Sequence, residues 1–143
     1  MSILGTRVVR VEDPRFLRGE GTYIANLPLP GAVHLTFVRS SVAHARLVSV
    51  DASEAVGMPG VVASFTGADV ELVPAKADLR MINQDIEYPF VARDTVRFVG
   101  EVVAVVVTET PEQGADAAEQ VIVDHDPLPA VIDSRESLAG AVV

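Results

Sequence analysis

Acid–base, nucleophilic or metal chemistry would have to draw on three histidines, twenty carboxylates and scattered serines, because the 143-residue sequence has no cysteine. His34 and His44 are the candidate ligand pair. They stand ten residues apart with no third ligand placed, which matches no compact zinc spacing, so the favoured reading makes each imidazole a hydrogen-bonded surface or interface group. His125 lies between Asp124 and Asp126, an arrangement read as incidental rather than catalytic. Glu12 and Asp13 are adjacent carboxylates. On an extended segment successive side chains point apart, so the two would not share a proton across one substrate, and a solvated or arginine-paired role is expected. Gly19-Glu20-Gly21 is followed by Ile24 where a dinucleotide fingerprint needs its third glycine, and the phosphate-binding reading fails. Ser40, Ser41 and Ser53 lack the glycines of a nucleophile elbow and have no placed base, without which a serine is only a hydroxyl. Glu101 follows Gly100 at the mouth of the most apolar run. A catalytic carboxylate could sit there, but a cap or an ion pair with Arg97 is the favoured alternative. No complete catalytic set emerges.

The elements that must position these groups can be read from periodicity and punctuation. Arg7 to Tyr23 mixes charge with short apolar pairs around Pro14, Gly19 and Gly21 and reads as an extended arm. Leu27-Pro28-Leu29-Pro30-Gly31 forms a turn. Val33, Leu35 and Phe37 alternate with His34 and Thr36, the pattern of a half-buried strand, slightly blurred by Val38. Arg46 to Asp51 is a second strand, with Leu47 and Ser49 on one face and Val48 and Val50 on the other. Asp51 should cap a short helix that ends at Gly57 and Pro59. Val61 to Phe65 is a third strand, Thr66 to Asp69 a turn or the start of a short helix, and Glu71 to Tyr88 a loop-rich stretch. Val102 to Val107 is uninterruptedly apolar and should be the central strand, covered on both sides. Thr110-Pro111-Glu112-Gln113 starts a helix with a capping box, whose buried face is expected to carry Ala115, Ala118 and Ile122. Val121 to Asp124 turns back as a strand, and Asp126-Pro127 ends regular structure. Interleaved strands and helices with hairpin-like early spacing give an α+β class: a mixed sheet with a few short helices.

Size and composition set outer bounds. The length suits one domain spanning 1–143, with 1–23 as its arm and the rest compact. A formal charge of -9 would repel a phosphate backbone, so nucleic acid is not an expected partner. Cysteine-free sequence offers no thiolates to an iron–sulfur cluster. The first residues do not read as a signal peptide, and the run Val102 to Val107 is too short to span a bilayer, so a cytoplasmic location is expected.

Ordered along the chain are Arg10-Val11-Glu12-Asp13-Pro14-Arg15-Phe16-Leu17, Gly19, Gly21, Tyr23, Pro30-Gly31, His34, Phe37-Val38-Arg39-Ser40, Ala43-His44-Ala45-Arg46, Pro59-Gly60-Val61-Val62, Thr66-Gly67, Val96-Arg97-Phe98-Val99-Gly100-Glu101, Asp116-Ala117-Ala118-Glu119 and Pro127-Leu128-Pro129-Ala130-Val131. This series resembles the opening of the molybdopterin-binding large subunit of the xanthine oxidase family, which includes xanthine dehydrogenase, aldehyde oxidase and aerobic carbon monoxide dehydrogenase. The resemblance implies an α/β hammerhead domain. It further implies a non-catalytic structural and interaction role in a molybdenum-dependent oxidoreductase, with no activity of the segment alone. Catalytic, cofactor-binding and metal residues of this segment are accordingly given as none, and Arg39, His44, Gly100 and Glu101 as the possible interface. Molybdopterin cytosine dinucleotide would be held by the remainder of the large subunit, [2Fe-2S] clusters by an iron–sulfur small subunit, and FAD by a medium subunit. The alternatives are a separately encoded subunit, or an autonomous small-molecule-binding protein that kept the hammerhead fold. Departures from the family pattern are Ser41 and Val102 in place of prolines and Asn26 in place of an aspartate. The substrate is set by residues outside the segment.

Overall fold

The computed structural model describes residues 5, 8–24, 27–76 and 87–140. They belong to two compact units, Met1–Ala32 and Val33–Val143. Asn26 and most of the stretch between Glu71 and Tyr88 lie outside the described residues, as do the first four positions.

In the first unit the segment read as an extended arm contains one turn of helix, α1 (Asp13–Leu17), with Pro14 in its first turn, where the missing N–H costs nothing. Glu12 faces both Arg10 (3.2 Å) and Arg15 (3.7 Å), the arginine-paired role anticipated for it. The Arg10 and Arg15 guanidinium groups lie 5.4 and 5.3 Å from the Phe16 ring centre, and Phe16 stacks on Tyr23. At the end of the unit Ala32 N–H donates to Leu29 O across Pro30-Gly31, with Gly31 at φ 78°. Proline followed by a positive-φ glycine is the chemistry of a type II turn.

The second unit is built on two three-stranded antiparallel sheets. The first has the order β1 (His34–Arg39), β7 (Val102–Thr108), β3 (Val61–Thr66). The second has the order β6 (Thr95–Val96), β2 (Ala45–Asp51), β8 (Ile122–Pro127). A short ladder pairs β4 (Ala75–Lys76) with β5 (Glu87–Tyr88). Its Lys76 and Glu87 ammonium and carboxylate are 2.6 Å apart. The unbroken apolar run is indeed the central strand of the first sheet. Helices α2 (Ser53–Val56) and α3 (Pro111–Ala118) cover one face of the first sheet, where Ala55, Val106 and Ala117 form a buried cluster. Ala45, Ala92, Val96 and Val103 form a second cluster, joining β7 to the second sheet. Beyond β8, α4 (Ser134–Leu138) is capped by the Asp133 carboxylate and buries no residue.

Three local expectations need correction. On α3 the buried residues are Gly114 and Ala117, not Ala115 and Ile122, which are exposed. The helix is rotated by about one position because Gly114 seats its backbone against Thr36 and Thr108, where a Cβ would lie 2.2 Å from Thr36 Oγ1. On β2 a bulge leaves Val48 without a cross-strand partner between Leu47↔His125 and Ser49↔Asp124. The extra residue breaks strict alternation, so Leu47 and Val50 are both half-buried while Val48 and Ser49 are exposed. Third, β8 runs on through Asp126 to Pro127, tolerated because β8 is an edge strand and proline there forfeits no ladder donor.

Turn chemistry follows the sequence at α3 and at Thr66–Asp69, whereas the N-cap of α2 is Ala52, without a side-chain capping bond, and not Asp51 as expected. Thr110 and Gln113 make the reciprocal capping box of α3. Asp51 stands one residue ahead of the α2 cap and accepts from Ser53 N–H. Asp69 accepts from both the N–H and the hydroxyl of Thr66. Backbone and side-chain hydrogen bonds from Ser53 and from Thr66 hold the Asp51 and Asp69 carboxyls below the usual aspartate range.

Candidate functional site

The polar groups picked out by sequence fall into one convergent junction and several isolated positions. The junction lies where β1 ends and β7 begins. Ser40 N–H donates to Glu101 O and Gly100 N–H to Ser40 O, each at 2.8 Å, extending the β1–β7 pairing beyond both strands. Arg39 Nη1 donates to Gly100 O at 2.8 Å, and its guanidinium lies 5.4 Å from the Phe37 ring centre. Ser40 Oγ donates to Val42 O and accepts from Val42 N–H, so the hydroxyl closes its own loop rather than facing a substrate.

Glu101 is only 4% exposed. One carboxylate oxygen accepts from Arg97 N–H and the other lies 3.3 Å from Arg97 Nη1, which also donates to Thr95 O. The side chain therefore ties off the turn from Arg97 to Glu101, in which Glu101 N–H donates to Phe98 O. Gly100 adopts φ 94°, a left-handed conformation that side-chain-bearing residues enter only with strain. The ion-pair reading of Glu101 is the one the geometry carries. A carboxylate engaged by a neighbouring guanidinium and an amide has its acceptor capacity directed inward, and it supports the turn. At the tip of that turn Phe98 and Val99 are exposed, an apolar projection to which sequence reasoning gave no separate role.

The histidines do not converge. His34 opens β1 opposite Thr108, whereas His44 lies past the strand's other end. The six residues of β1 place its two ends roughly 17 Å apart. His44 Nδ1 is 2.6 Å from Pro129 O, and Leu128 N–H donates to His44 O, so His44 fastens the segment after β8. His125 faces inward opposite Leu47, and its Nε2 is buried with no hydrogen-bond partner among the described residues. No group of three or more His, Cys, Asp or Glu that could hold a metal occurs among the described residues.

A second surface was misassigned by alternation. Alternation alone would turn Leu35 and Phe37 to the core, but Thr36 lies against Gly114 of α3 and Val38, the residue that blurs the pattern, packs on the Ala55–Val106–Ala117 cluster. Leu35 and Phe37 are consequently on the face away from both helices. There they join the cross-strand rows Leu35–Val107–Ala63 and Phe37–Val105–Phe65. Phe37 remains 48% and Phe65 42% exposed, while Val105 between them is shielded by its neighbours. The signal that could have disclosed this was Gly114, since a glycine within a capped helix marks a close approach to whatever lies beneath.

Comparison with known proteins follows this geometry. A family model described as aldehyde oxidase and xanthine dehydrogenase, a/b hammerhead domain, matches residues 18–129. The nicotine 6-hydroxylase large subunit of Paenarthrobacter nicotinovorans is 38% identical over 145 residues, covering 99% of this chain and 18% of the relative. The carbon monoxide dehydrogenase large chain of Afipia carboxidovorans is 40% identical over 135 residues, covering 94% and 16%. Among solved structures, quinoline 2-oxidoreductase from Pseudomonas putida 86 superposes with a TM-score of 0.82 at 39% identity, covering 99% of this chain and 18% of that one. The chain thus spans less than a fifth of these relatives.

Proposed function

Because the chain belongs to the aldehyde oxidase and xanthine dehydrogenase a/b hammerhead family, we propose that it is the non-catalytic structural and interaction domain of a molybdenum-dependent hydroxylase large subunit. In this reading 1–143 acts as one hammerhead domain with 1–23 as its arm. It supports the molybdopterin-binding portion and contacts an iron–sulfur subunit, in a cytoplasmic assembly that also holds an FAD-binding subunit. The observation carrying the proposal is the Glu101 junction: the most buried carboxylate among the described residues, at the start of the central strand, is committed to holding its own turn. Arg39, His44 and Gly100 are the interface candidates, with Glu101 acting behind them as their support.

The residues present do not fit an iron–sulfur cluster, whose ligands are thiolates, since the sequence has no cysteine. No reaction step is assigned to this chain. Molybdopterin cytosine dinucleotide belongs, in the proposal, to the remainder of the large subunit, and the clusters and flavin to its partners. The relatives' coverage of 16–18% supports a division of labour in which most of the large subunit lies outside this segment.

Metal analysis and hydroxylase assay of the purified 143-residue chain test the reading. Neither molybdenum nor activity is expected from the chain alone, and both are expected once the rest of the large subunit and its partners are supplied. Stoichiometric molybdenum in the isolated chain would sink the proposal. Sequencing the frame beyond codon 143 adds an independent check, with a molybdopterin-binding domain expected either in the same frame or in an adjacent one.

A further inference from the structure

We propose that a small apolar slot beside Arg93 is a binding site for a short aliphatic carboxylate, the guanidinium taking the carboxylate and the slot the hydrocarbon tail. The site stands apart from the role assigned above, since it needs only the fold of this chain. Its first feature is the state of the arginine. Arg10, Arg15, Arg18, Arg46 and Arg97 each face a carboxylate. Arg93 forms no ion pair among the described residues, and its one hydrogen bond there runs from Nη2 to Val70 O at 2.5 Å. A guanidinium carries its N–H donors in a rigid fork, and a single bond to Val70 leaves the others for the oxygens of a carboxylate. The main chain of Arg93 is held as well. Gly67 is buried and approaches so closely that a Cβ there would lie 2.2 Å from Ala92 O and 2.9 Å from Arg93 Cα. The Thr66–Asp69 turn that carries Gly67 is itself tied by the Asp69 carboxylate. Arg93 is thus anchored at both ends, which lowers the ordering cost of binding.

The second feature is the slot. Val70, Leu72, Pro74, Pro89, Phe90 and Val91 line it together with Arg93, around a volume of about 110 Å³. Val70 supplies both a wall and the carbonyl that Arg93 holds, so the guanidinium stands at the slot's edge. Val91 is 6% exposed, whereas Leu72 and Phe90 remain 61% and 58% exposed, large apolar side chains open to water beside a cationic group. Pro74 and Pro89 have φ fixed by their rings, so the walls they form resist collapse into the gap. An apolar cavity of about 150 Å³ accepts benzene, and this smaller one suits a branched chain of roughly four carbons. Charge then decides the class of ligand. The chain has a net charge of -9 and Asp94 adjoins Arg93, so one guanidinium does little to hold an inorganic anion against the surrounding field. Each methylene buried in the slot raises affinity about fourfold, a gain that an amphipathic acid collects and a bare anion does not.

Phenylglyoxal labelling of Arg93, read by mass spectrometry, tests the site with isovalerate as the probe. The protein is used in the polypeptide or complex in which it occurs in its own cells, and Arg46, ion-paired with Asp126, is the internal reference. For a Kd on the order of 1 mM, about 10 mM isovalerate should slow labelling of Arg93 at least about fivefold and leave Arg46 unchanged. Acetate, which lacks the tail, and isoamyl alcohol, which lacks the carboxylate, should each slow it less than about twofold at the same concentration. Phe90→Ser, a change at an exposed position, should reduce isovalerate protection to the acetate level with the circular dichroism spectrum unchanged. Equal protection by acetate and isovalerate overturns the proposal, because the slot then contributes nothing. Absence of protection by isovalerate overturns it as well. So does an Arg93 already inert to phenylglyoxal, since another part of the assembly would then cover the guanidinium. Should Phe90→Ser fail to fold, the comparison of the three probes on the unaltered protein still decides.

Discussion

At the scale of single residues, the fates of two inward-facing polar groups differ. Glu101 has its carboxylate engaged on both oxygens by Arg97 while being almost wholly removed from water. Replacing it with alanine strands the Arg97 amide and leaves a void at the start of the central strand. Glu101→Ala should lower stability by about 2 kcal/mol, the cost of leaving a buried partner unmatched. Glu101→Gln keeps an acceptor and should cost less than about 1 kcal/mol. Urea denaturation of both variants checks the order, and equal loss would show that the charge, not the hydrogen bonds, holds the turn. His125 presents the reverse case. Among the described residues its Nε2, on the inner face opposite Leu47, has no hydrogen-bond partner, so the imidazole is expected to carry a desolvation cost. His125→Leu should leave thermal stability unchanged or raise it by up to about 1 kcal/mol. A drop of more than about 1 kcal/mol in calorimetry would show that the ring nitrogen is satisfied in solution.

At the scale of elements, α3 and the strands beneath it show why some of the fold was legible and some was not. The capping box at Thr110 and Gln113, the valine run of β7, and the turns at Pro30-Gly31 and Thr66–Asp69 are local, and each was readable because its chemistry is contained in a few consecutive residues. The rotation of α3 and the inversion of β1 were not readable by alternation, since both depend on one close contact between elements distant in sequence. Gly114 lies against Thr36, and that decides which side of each element faces the other. The bulge at Val48 escaped for a related reason, because an extra residue in one strand is defined only against its partner β8. The site followed the same rule. The junction at Gly100-Glu101 was visible as a motif, whereas the aromatic row Phe37–Val105–Phe65 requires three strands to be placed side by side. Gly114→Ala tests the contact directly. Alanine improves helix propensity by about 1 kcal/mol, but its Cβ would sit 2.2 Å from Thr36 Oγ1. Overpacking of this kind typically costs 1–3 kcal/mol, so a net loss of about 1 kcal/mol is expected. Adding Thr36→Ala should recover at least half of it, a coupling measurable in a double-mutant cycle. Strict additivity would mean that the helix does not approach the strand at this point.

At the scale of the whole molecule, charge and apolar surface oppose each other. A formal net charge of -9 keeps copies of the chain apart at neutral pH, and this repulsion acts over the whole surface at low salt. The exposed apolar side chains Leu35, Phe37 and Phe65 of the first sheet carry no charge of their own, so repulsion from the rest of the molecule opposes their meeting a counterpart on another copy. Near the isoelectric point, about 4.6, that protection disappears while the apolar rows remain. The 143-residue chain should therefore be monomeric by light scattering at pH 7.5 and associate as pH approaches 4.6. The double substitution Phe37→Ser with Phe65→Ser should reduce the associated fraction at pH 4.6 at least about threefold, provided circular dichroism shows the fold retained at that pH. The two side chains are nearly half exposed, so their removal forfeits only part of a full burial term and should leave the folded chain populated. Association unaffected by the substitution would locate the adhesive surface elsewhere, with the Phe98-Val99 turn tip and the Ile132 and Leu138 side chains as the remaining exposed apolar groups to be tested in the same way.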